Sequence, residues 1–253
     1  MPIPQRRIFG TIRYTSDKSE RLGLERGREQ FAITVHQDGR RTLQAHSEID
    51  DAPNVMRDVV LSVDADWKPS DCFVRLCVDD KFVGSSWYRF TAGEALCEGF
   101  TVAEGRLSQR FALSQPMVAF GTHPIQGDAW LTNIVDVSAG RSRKAYPNIM
   151  MCSLDHRGAT GPMLMPHAGG GVKLSYIAKE RVTVVAGTFD ALHFVFSETD
   201  DPNALTRNEP GKHPQYDLWC TADGDYVFLK ANVTGYMMTR YELVEYRCTK
   251  AYV

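Results

Sequence analysis

The sequence predicts an all-β protein, built as an antiparallel barrel or as two packed half-barrels in one continuous unit. Apolar and polar residues alternate through much of residues 181–246, and a period of two is typical of strands with one buried face. Asp38-Gly39 and Asp223-Gly224 each separate two alternating runs, which is a strong hairpin signal. The sequence contains no convincing helix longer than two turns.

The first half of the chain predicts a series of short strands separated by turns. In order, the predicted strands are residues 8–14, 31–37, 41–49, 55–63, 72–78, 81–90, 98–102, 106–113 and 129–135. Asp79-Asp80 supplies a tight turn, and residues 16–28 form a charged loop. Residues 115–120 are compatible with one turn of helix. We expect these strands to extend the same sheet.

The middle of the chain predicts loops, and strands resume at Val172. Residues 140–147 and 155–171 are rich in Gly, Pro, Arg and His, as loops are. Residues 181–246 then predict four strands of an antiparallel meander. Residues 204–207 are compatible with a further helical turn.

Length and composition favour one β domain. All-β barrels often reach this length undivided, so we expect a single domain over residues 1–253, with possible halves 1–138 and 172–253. With 24% charged residues and a net charge of −2, the chain has no electrostatic footprint for nucleic acid or an anionic membrane. No signal peptide and no membrane-spanning apolar run are visible, which favours a cytoplasmic location.

The six cysteines are expected to be reduced in that compartment. None forms a CxxC pair, and most lie within apolar runs, where cysteine packs as a small hydrophobic residue. A nucleophile or a disulfide is the alternative.

Strand alternation assigns side chains to faces in the first half of the chain. Arg75 shares a face with Phe73 and Cys77. An arginine in that setting holds a substrate carboxylate or phenolate bidentately, or forms an ion pair on an outer face. Tyr88 and Trp87 lie on opposite faces of the strand over residues 81–90.

Alternation in the second half groups a mixed set of aromatic and ionisable side chains. If their faces point inward, they line one interior; these residues are His193, Asp217, Trp219, Tyr226 and Lys230. A satisfied structural histidine is the alternative for His193.

A second candidate group lies in the segment His123-Pro124 to Asp128, followed by Trp130. A His and an Asp five residues apart, around a Pro and a Gly, indicate a loop that folds back on itself. An Asp beside a histidine raises the basicity of the imidazole and fixes its tautomer, which prepares a general base. A hydrogen bond that only cross-links the loop is the alternative.

Several chemistries are not supported by the sequence. It has no GxSxG elbow, no Walker A motif and no GxGxxG before a helix. The seven histidines include no HxH or HExxH. A metal site assembled in three dimensions from His123, Asp128, His156 and His167 stays open, but no spacing demands it, so no metal or cofactor is predicted. A cavity for a small, largely apolar molecule remains, in which the possible chemistry is proton transfer.

Two segments resemble known proteins. GTFDALHF at residues 187–194, followed by Asp217-Leu218-Trp219 and the Asp223-Gly224 turn, resembles a loosely defined group of bacterial lipocalin-like β-barrel proteins. The His-Pro…Asp-Ala-Trp run at residues 123–130 is similar to an element of two-part lipocalin-like proteins, among them the carotenoid hydratase type. The resemblance implies a lipocalin-like barrel. It also implies that the cavity residues include His123, Asp128, His193 and Trp219.

The leading functional hypothesis is a cofactor-independent lyase or isomerase acting on a small aromatic or isoprenoid metabolite. The reaction would be dehydration, isomerisation or a retro-aldol C–C cleavage that releases formaldehyde. The predicted catalytic residues are His123 with Asp128 as the base, and Tyr88 or His193 as the acid. The predicted substrate-binding residues are Arg75, Trp87, Trp219, Tyr226 and Lys230.

Two alternatives come from other functional classes. The first is a non-catalytic protein that binds or carries a hydrophobic ligand. The second is a structural subunit whose exposed β edge pairs with a copy of itself, which would make a homo-oligomer.

Overall fold

The computed structural model describes residues 5–166, 171–196 and 214–250, and the predicted all-β class is confirmed in them. Predictions that involve residues 204–207, His167 and His213 fall outside this part of the chain. Within it, the secondary structure consists of seventeen strands, one α helix and three short 3₁₀ turns.

The first eight strands overlap the first eight predicted ones. Their bounds are Arg6–Ser16 (β1), Glu25–Val35 (β2), Arg41–Ile49 (β3), Val55–Val63 (β4), Pro69–Val78 (β5), Lys81–Phe90 (β6), Glu94–Thr101 (β7) and Gly105–Ala112 (β8). Burial alternates strictly along β4. This is the period-two signal on which the sequence prediction depended.

The second half adds nine strands and the helix. The strands are Ala119–Gly121 (β9), Ser142–Tyr146 (β10), Ile149–Met151 (β11), Met165–Pro166 (β12), Val172–Val184 (β13), Gly187–Phe196 (β14), Tyr216–Thr221 (β15), Phe228–Val233 (β16) and Thr239–Lys250 (β17). The helix α1 covers Ile125–Leu131, and the 3₁₀ turns cover Ser19–Arg21, Thr132–Ile134 and Val137–Ala139. Residues 181–246 thus contain parts of five strands, where four are predicted.

Two local predictions are wrong. Residues 129–135 are predicted as a strand, but they form the end of α1 and the 3₁₀ turn after it. A short apolar run has the same composition in a buried strand and in a buried helix, so its pattern does not separate them. Residues 115–120, predicted as a helical turn, lead instead into β9.

Fourteen of the described strands form one sheet. Its order is β10-β13-β14-β15-β16-β17-β1-β2-β3-β4-β5-β6-β7-β8, so the last strand pairs with the first. The two edge strands, β10 and β8, do not pair with each other, and the sheet is therefore not closed. A small second sheet has the order β12-β11-β9, with β11 parallel to β9.

The helix α1 is almost completely enclosed by the rest of the protein. Six of its seven residues are buried, and it contacts β9, β15 and β16. Trp130 of the helix meets Trp67 edge-on, with 5.4 Å between ring centroids. No helix among the described residues is long and apolar enough to cross a membrane.

Candidate functional site

A histidine–aspartate pair lies on the outer face of β14 and β15. His193 Nε2 lies 2.9 Å from Asp217 Oδ1, and His193 Nδ1 lies 3.8 Å from Glu180 Oε1 on β13. The imidazole stacks on the Trp219 ring, with 3.9 Å between centroids and 13° between planes. Only 14% of the His193 side chain is exposed, so the pair is well shielded for an outer surface.

Strand register places these side chains side by side. His193 pairs with Trp219 across β14 and β15, and Trp219 pairs with Lys230 across β15 and β16. Residues directly opposite each other in an antiparallel pair share a face. Lys230 Nζ lies 4.4 Å from the centroid of the Trp219 ring, which is a cation–π contact. The structure therefore brings together three of the predicted site residues.

The predicted orientation of this group is wrong. The residues that alternate with them face the hydrophobic core, namely Leu192, Phe194, Leu218 and Ala231. Trp219 is itself buried and packs against the edge of this core. His193, Trp219 and Lys230 consequently lie on the outer side of the sheet. Alternation separates the two faces of a strand, but it does not say which face is inside when both carry aromatic residues.

A groove of about 510 Å³ lies beside this group. Lys230 and Asn232 line it from β16, and Asn232 is the cross-strand neighbour of Asp217. The remaining charged lining residues are Arg13, Glu25, Arg240 and Glu242. The volume falls within the range of about 300–1,000 Å³ that is usual for small-molecule sites.

A second ionisable group lies inside the protein at the start of α1. Glu29 on β2 is fully buried, and its Oε2 accepts from Tyr14 Oη at 3.0 Å and from the backbone N–H of Ile125 at 2.6 Å. Its Oε1 accepts from the backbone N–H of Gln126 at 3.0 Å. Burial raises the pKa of Glu29 to about 7, although these hydrogen bonds oppose the shift.

Asp128 on α1 belongs to the same interior group. Tyr216 Oη donates to its Oδ2 at 3.3 Å. Asp128 keeps a little accessible surface, but the packed interior, followed by the charge of Glu29, raises its pKa well above the usual range. Burial likewise raises the pKa of Tyr14 and of Tyr216.

No hydrogen bond joins His123 to Asp128, contrary to the prediction that they form a pair. His123 Nε2 lies 3.2 Å from the carbonyl oxygen of Ser153, whereas Asp128 is bonded to Tyr216. The reason is the helix. Because α1 begins at Ile125, Asp128 lies on a helical turn and is directed to β15 instead of to His123.

The other predicted site residues lie apart from His193. Tyr88 is fully buried, burial raises its pKa well above the usual value, and its hydroxyl donates to the Met163 carbonyl at 3.4 Å. Arg75 lies on the outer face, and its Nη1 is 3.8 Å from Asp58 Oδ2. Arg75 therefore forms an ion pair on the outer face, which was the alternative to substrate binding.

Trp87 and Tyr226 lie in two further places. Trp87 is 44% exposed on the outer face of β6, opposite Phe73. Tyr226, in the turn after β15, meets Trp67 edge-on at 5.2 Å between centroids. The predicted single constellation is therefore divided between the outer face, the interior and a turn.

The sequence reasoning missed the two fully buried charged side chains, Glu29 and Arg57. The alternation pattern could have indicated both, because each occupies a position that faces the core along its strand. Glu29 alternates in step with Phe31, and Arg57 with Val59. No group of three or more potential metal-ligating residues converges within the described ranges.

Comparison with known proteins supports the fold. The sequence matches no protein-family model and no curated protein. The solved β-barrel-like protein of the domain of unknown function DUF1849 from Brucella abortus has a TM-score of 0.57 at 14% identity, covering 98% of this chain and 99% of that one. The fold resembles that of this β-barrel-like protein. At this identity the likeness shows the fold alone.

A more distant solved structure belongs to the DUF1089 family protein of Pseudomonas aeruginosa. Its TM-score is 0.41 at 9% identity, with 82% of this chain and 89% of that chain covered.

Proposed function

We propose that the protein is a cofactor-independent lyase or isomerase that transfers protons on a small molecule, with its site at His193. The observation that supports this most is the 2.9 Å contact between His193 Nε2 and Asp217. The groove itself begins one strand beyond Asp217, at Lys230 and Asn232. An imidazole oriented by a carboxylate is the usual arrangement of a general base.

Asp217 and Glu180 have different roles at the imidazole of His193. Asp217 accepts the Nε2–H, so Nδ1 is the nitrogen that takes a proton from the substrate. The imidazolium formed in this way lies between Asp217 and Glu180, whose Oε1 is 3.8 Å from Nδ1. Both negative charges stabilise the transition state in which this cation develops.

Lys230 binds the anionic group of the substrate in this proposal. It lines the groove, and a carboxylate or phenolate there lies two strands away from His193, because β15 separates β14 from β16. Trp219 contacts both His193 and Lys230, so its part is to hold the two side chains in place.

In an isomerisation, the proton removed from carbon moves to Nδ1, the double bond shifts, and the imidazolium returns the proton to the new carbanionic carbon. In a dehydration, the electron pair left on carbon expels hydroxide, which takes the proton from the imidazolium and leaves as water. In a formaldehyde release, Nδ1 takes the proton of a hydroxymethyl O–H, the carbonyl of formaldehyde forms as the C–C bond breaks, and the imidazolium protonates the carbanion that remains.

The substrate class in this proposal rests on sequence resemblance. The run at residues 187–194 resembles lipocalin-like proteins, and residues 123–130 are similar to the carotenoid hydratase type. These resemblances favour an aromatic or isoprenoid substrate, whereas the anionic group is inferred from Lys230 in the groove lining. A carrier of a hydrophobic ligand has less support, because charged and polar side chains dominate the lining of the groove.

Mass-spectrometric turnover tests the proposal. Purified protein with EDTA would be incubated with aromatic dimers, hydroxylated aromatics and isoprenoids, alongside His193→Gln and Asp217→Asn. The matched control is His36→Gln, because the imidazole of His36 contacts the hydroxyl of Thr42 on β3 instead of the carboxylates at His193. We expect a product that has lost water or formaldehyde, or an isomer, with loss of turnover of at least a hundredfold in His193→Gln, a loss also in Asp217→Asn, and wild-type turnover in His36→Gln. Wild-type turnover in His193→Gln would disprove the assignment.

A further inference from the structure

A second cavity, of about 50 Å³, has a strongly cationic lining. It contains no carboxylate side chain, and its basic residues are Arg26, Arg57, His123, His156 and Arg157. A volume of about 15 Å³ holds one water molecule, so this cavity accommodates a small oxyanion. A larger group attached to that oxyanion would lie outside the cavity.

Arg57 is a buried cation without a carboxylate partner. Its side chain is 1% exposed, Nη1 donates to Cys152 Sγ at 3.1 Å, and Nη2 donates to the carbonyl of Gly158. Its Nε has no hydrogen-bond partner, and no described ion pair includes this residue. Since a buried charge is costly unless it is paired, the site requires a negative charge.

Arg157 also lines this cavity and repeats the pattern. Its guanidinium donates to the backbone carbonyls of Asp51 at 2.8 Å and Pro53 at 2.7 Å. Its Nε is also buried without a hydrogen-bond partner. Two arginines at one cavity are thus held by neutral acceptors, so neither charge is neutralised by the contacts described.

The acidic residues nearby are already engaged. Asp51 pairs with Arg21 and with Arg26. Glu29 accepts from Tyr14 and from the start of α1, and Asp155 accepts the backbone N–H of Arg157 at 3.1 Å. Neither Glu29 nor Asp155 lines the cavity, and Asp51 is shared by two arginines, so the charged lining residues Arg26, Arg57 and Arg157 carry an excess of positive charge.

We propose that this cavity binds a phosphate group, supplied by inorganic phosphate or by a phosphomonoester. The planar guanidinium group of arginine donates two parallel hydrogen bonds to phosphate oxygens, and a doubly charged phosphate can pair with several cations at once. The site is separate from the groove at His193 and does not depend on the proposed reaction.

Calorimetric titration at constant ionic strength tests this proposal. Inorganic phosphate, phenyl phosphate and acetate would be titrated into the wild-type protein and into Arg157→Gln. We expect saturable one-to-one binding of at least one phosphate compound and at least tenfold weaker binding in Arg157→Gln. Binding of phenyl phosphate alone would identify an ester as the ligand, and binding of inorganic phosphate would identify the free ion.

Two controls make the test decisive. Arg181→Gln removes an exposed arginine paired with Asp190 and should bind as the wild type does. His156→Gln provides a second lining variant in case Arg157→Gln does not fold. The proposal fails if neither phosphate compound saturates, if acetate binds as tightly, or if the folded lining variants bind like the wild type.

Discussion

The carboxylate of Glu29 accepts the backbone N–H of Ile125 at 2.6 Å, although 96 positions separate the two residues in the chain. The residue before the helix α1 is Pro124, which makes no side-chain capping hydrogen bond. The first N–H groups of a helix need acceptors from elsewhere. A strand of the main sheet therefore supplies the cap for the internal helix.

Replacing Glu29 with Gln should destabilise the protein. Both carboxylate oxygens accept N–H donors, from Ile125 and Gln126, and an amide nitrogen at either position cannot accept. One buried N–H loses its partner, which costs about 1–3 kcal/mol of unfolding free energy. Urea denaturation measures the change. Glu25→Gln, on the exposed start of β2, is the control, and equal losses in both variants would contradict the capping role.

Stability should fall as the pH rises from about 5 to about 8. The pKa of Glu29 is about 7 in the folded protein against an ordinary value of 4.5, so the folded state binds this proton more tightly than the unfolded state. The tighter proton binding by Glu29 stabilises the folded protein fully at pH values below the pKa of Glu29 in the unfolded chain. This stabilisation is lost as the pH rises through the pKa of Glu29 in the folded protein. It amounts to on the order of 3 kcal/mol of unfolding free energy. Burial shifts the pKa of Asp128 in the same direction, which adds to the effect.

This pH dependence can be checked by measuring the unfolding free energy of the wild type and of Glu29→Gln at several pH values. The wild type should show the steeper fall with pH. Parallel profiles in the two proteins would show that Glu29 does not titrate as expected.

Only one thiol should react quickly in the native protein. Five of the six cysteines are buried, whereas Cys248 is exposed. Burial raises the pKa of Cys97 to about 11 and of Cys220 to about 12, which disfavours the reactive thiolate. A thiol reagent should label about one site in the native protein and all six after denaturation. Cys248→Ser should abolish the fast reaction, and rapid labelling of that variant would show that the interior opens.

An alanine at Gly158 should destabilise the protein more than an alanine at Gly105. Both glycines have positive φ, of 65° and 75°, so the conformational cost is similar. A Cβ at Gly158 would lie 3.0 Å from both Arg57 Nη2 and His123 Cγ, whereas nothing lies within 4 Å at Gly105. We expect the unfolding free energy of Gly158→Ala to be lower than that of Gly105→Ala by about 1 kcal/mol or more, as measured by thermal denaturation. Equal losses in the two variants would show that Arg57 and His123 move aside without a loss of stability.

The strands were predictable, because alternation depends on neighbouring residues alone. Val55–Val63 agrees with the prediction at both ends. The helix α1 was not predictable, because its start depends on Glu29, which is remote in sequence. A short apolar segment takes its conformation from such tertiary partners.

The candidate site was predictable only in part. Alternation grouped His193, Trp219 and Lys230, and register confirms that they are neighbours. It did not reveal that the group faces outward. It also did not show that Arg57 and Arg157 meet at one cavity, because that depends on how the loop after β11 packs on β4.

The pairing of β1 with β17 has a consequence for the order of folding. Strands β1 to β8 pair in sequence order, so the strand pairing of this half uses only neighbouring segments of the chain. The other edge of β1 pairs with β17, and their hydrogen-bonded side chains Thr11 and Glu245 lie 234 positions apart. Since contacts close in sequence form faster than remote ones, we expect β1 and β17 to pair late in folding.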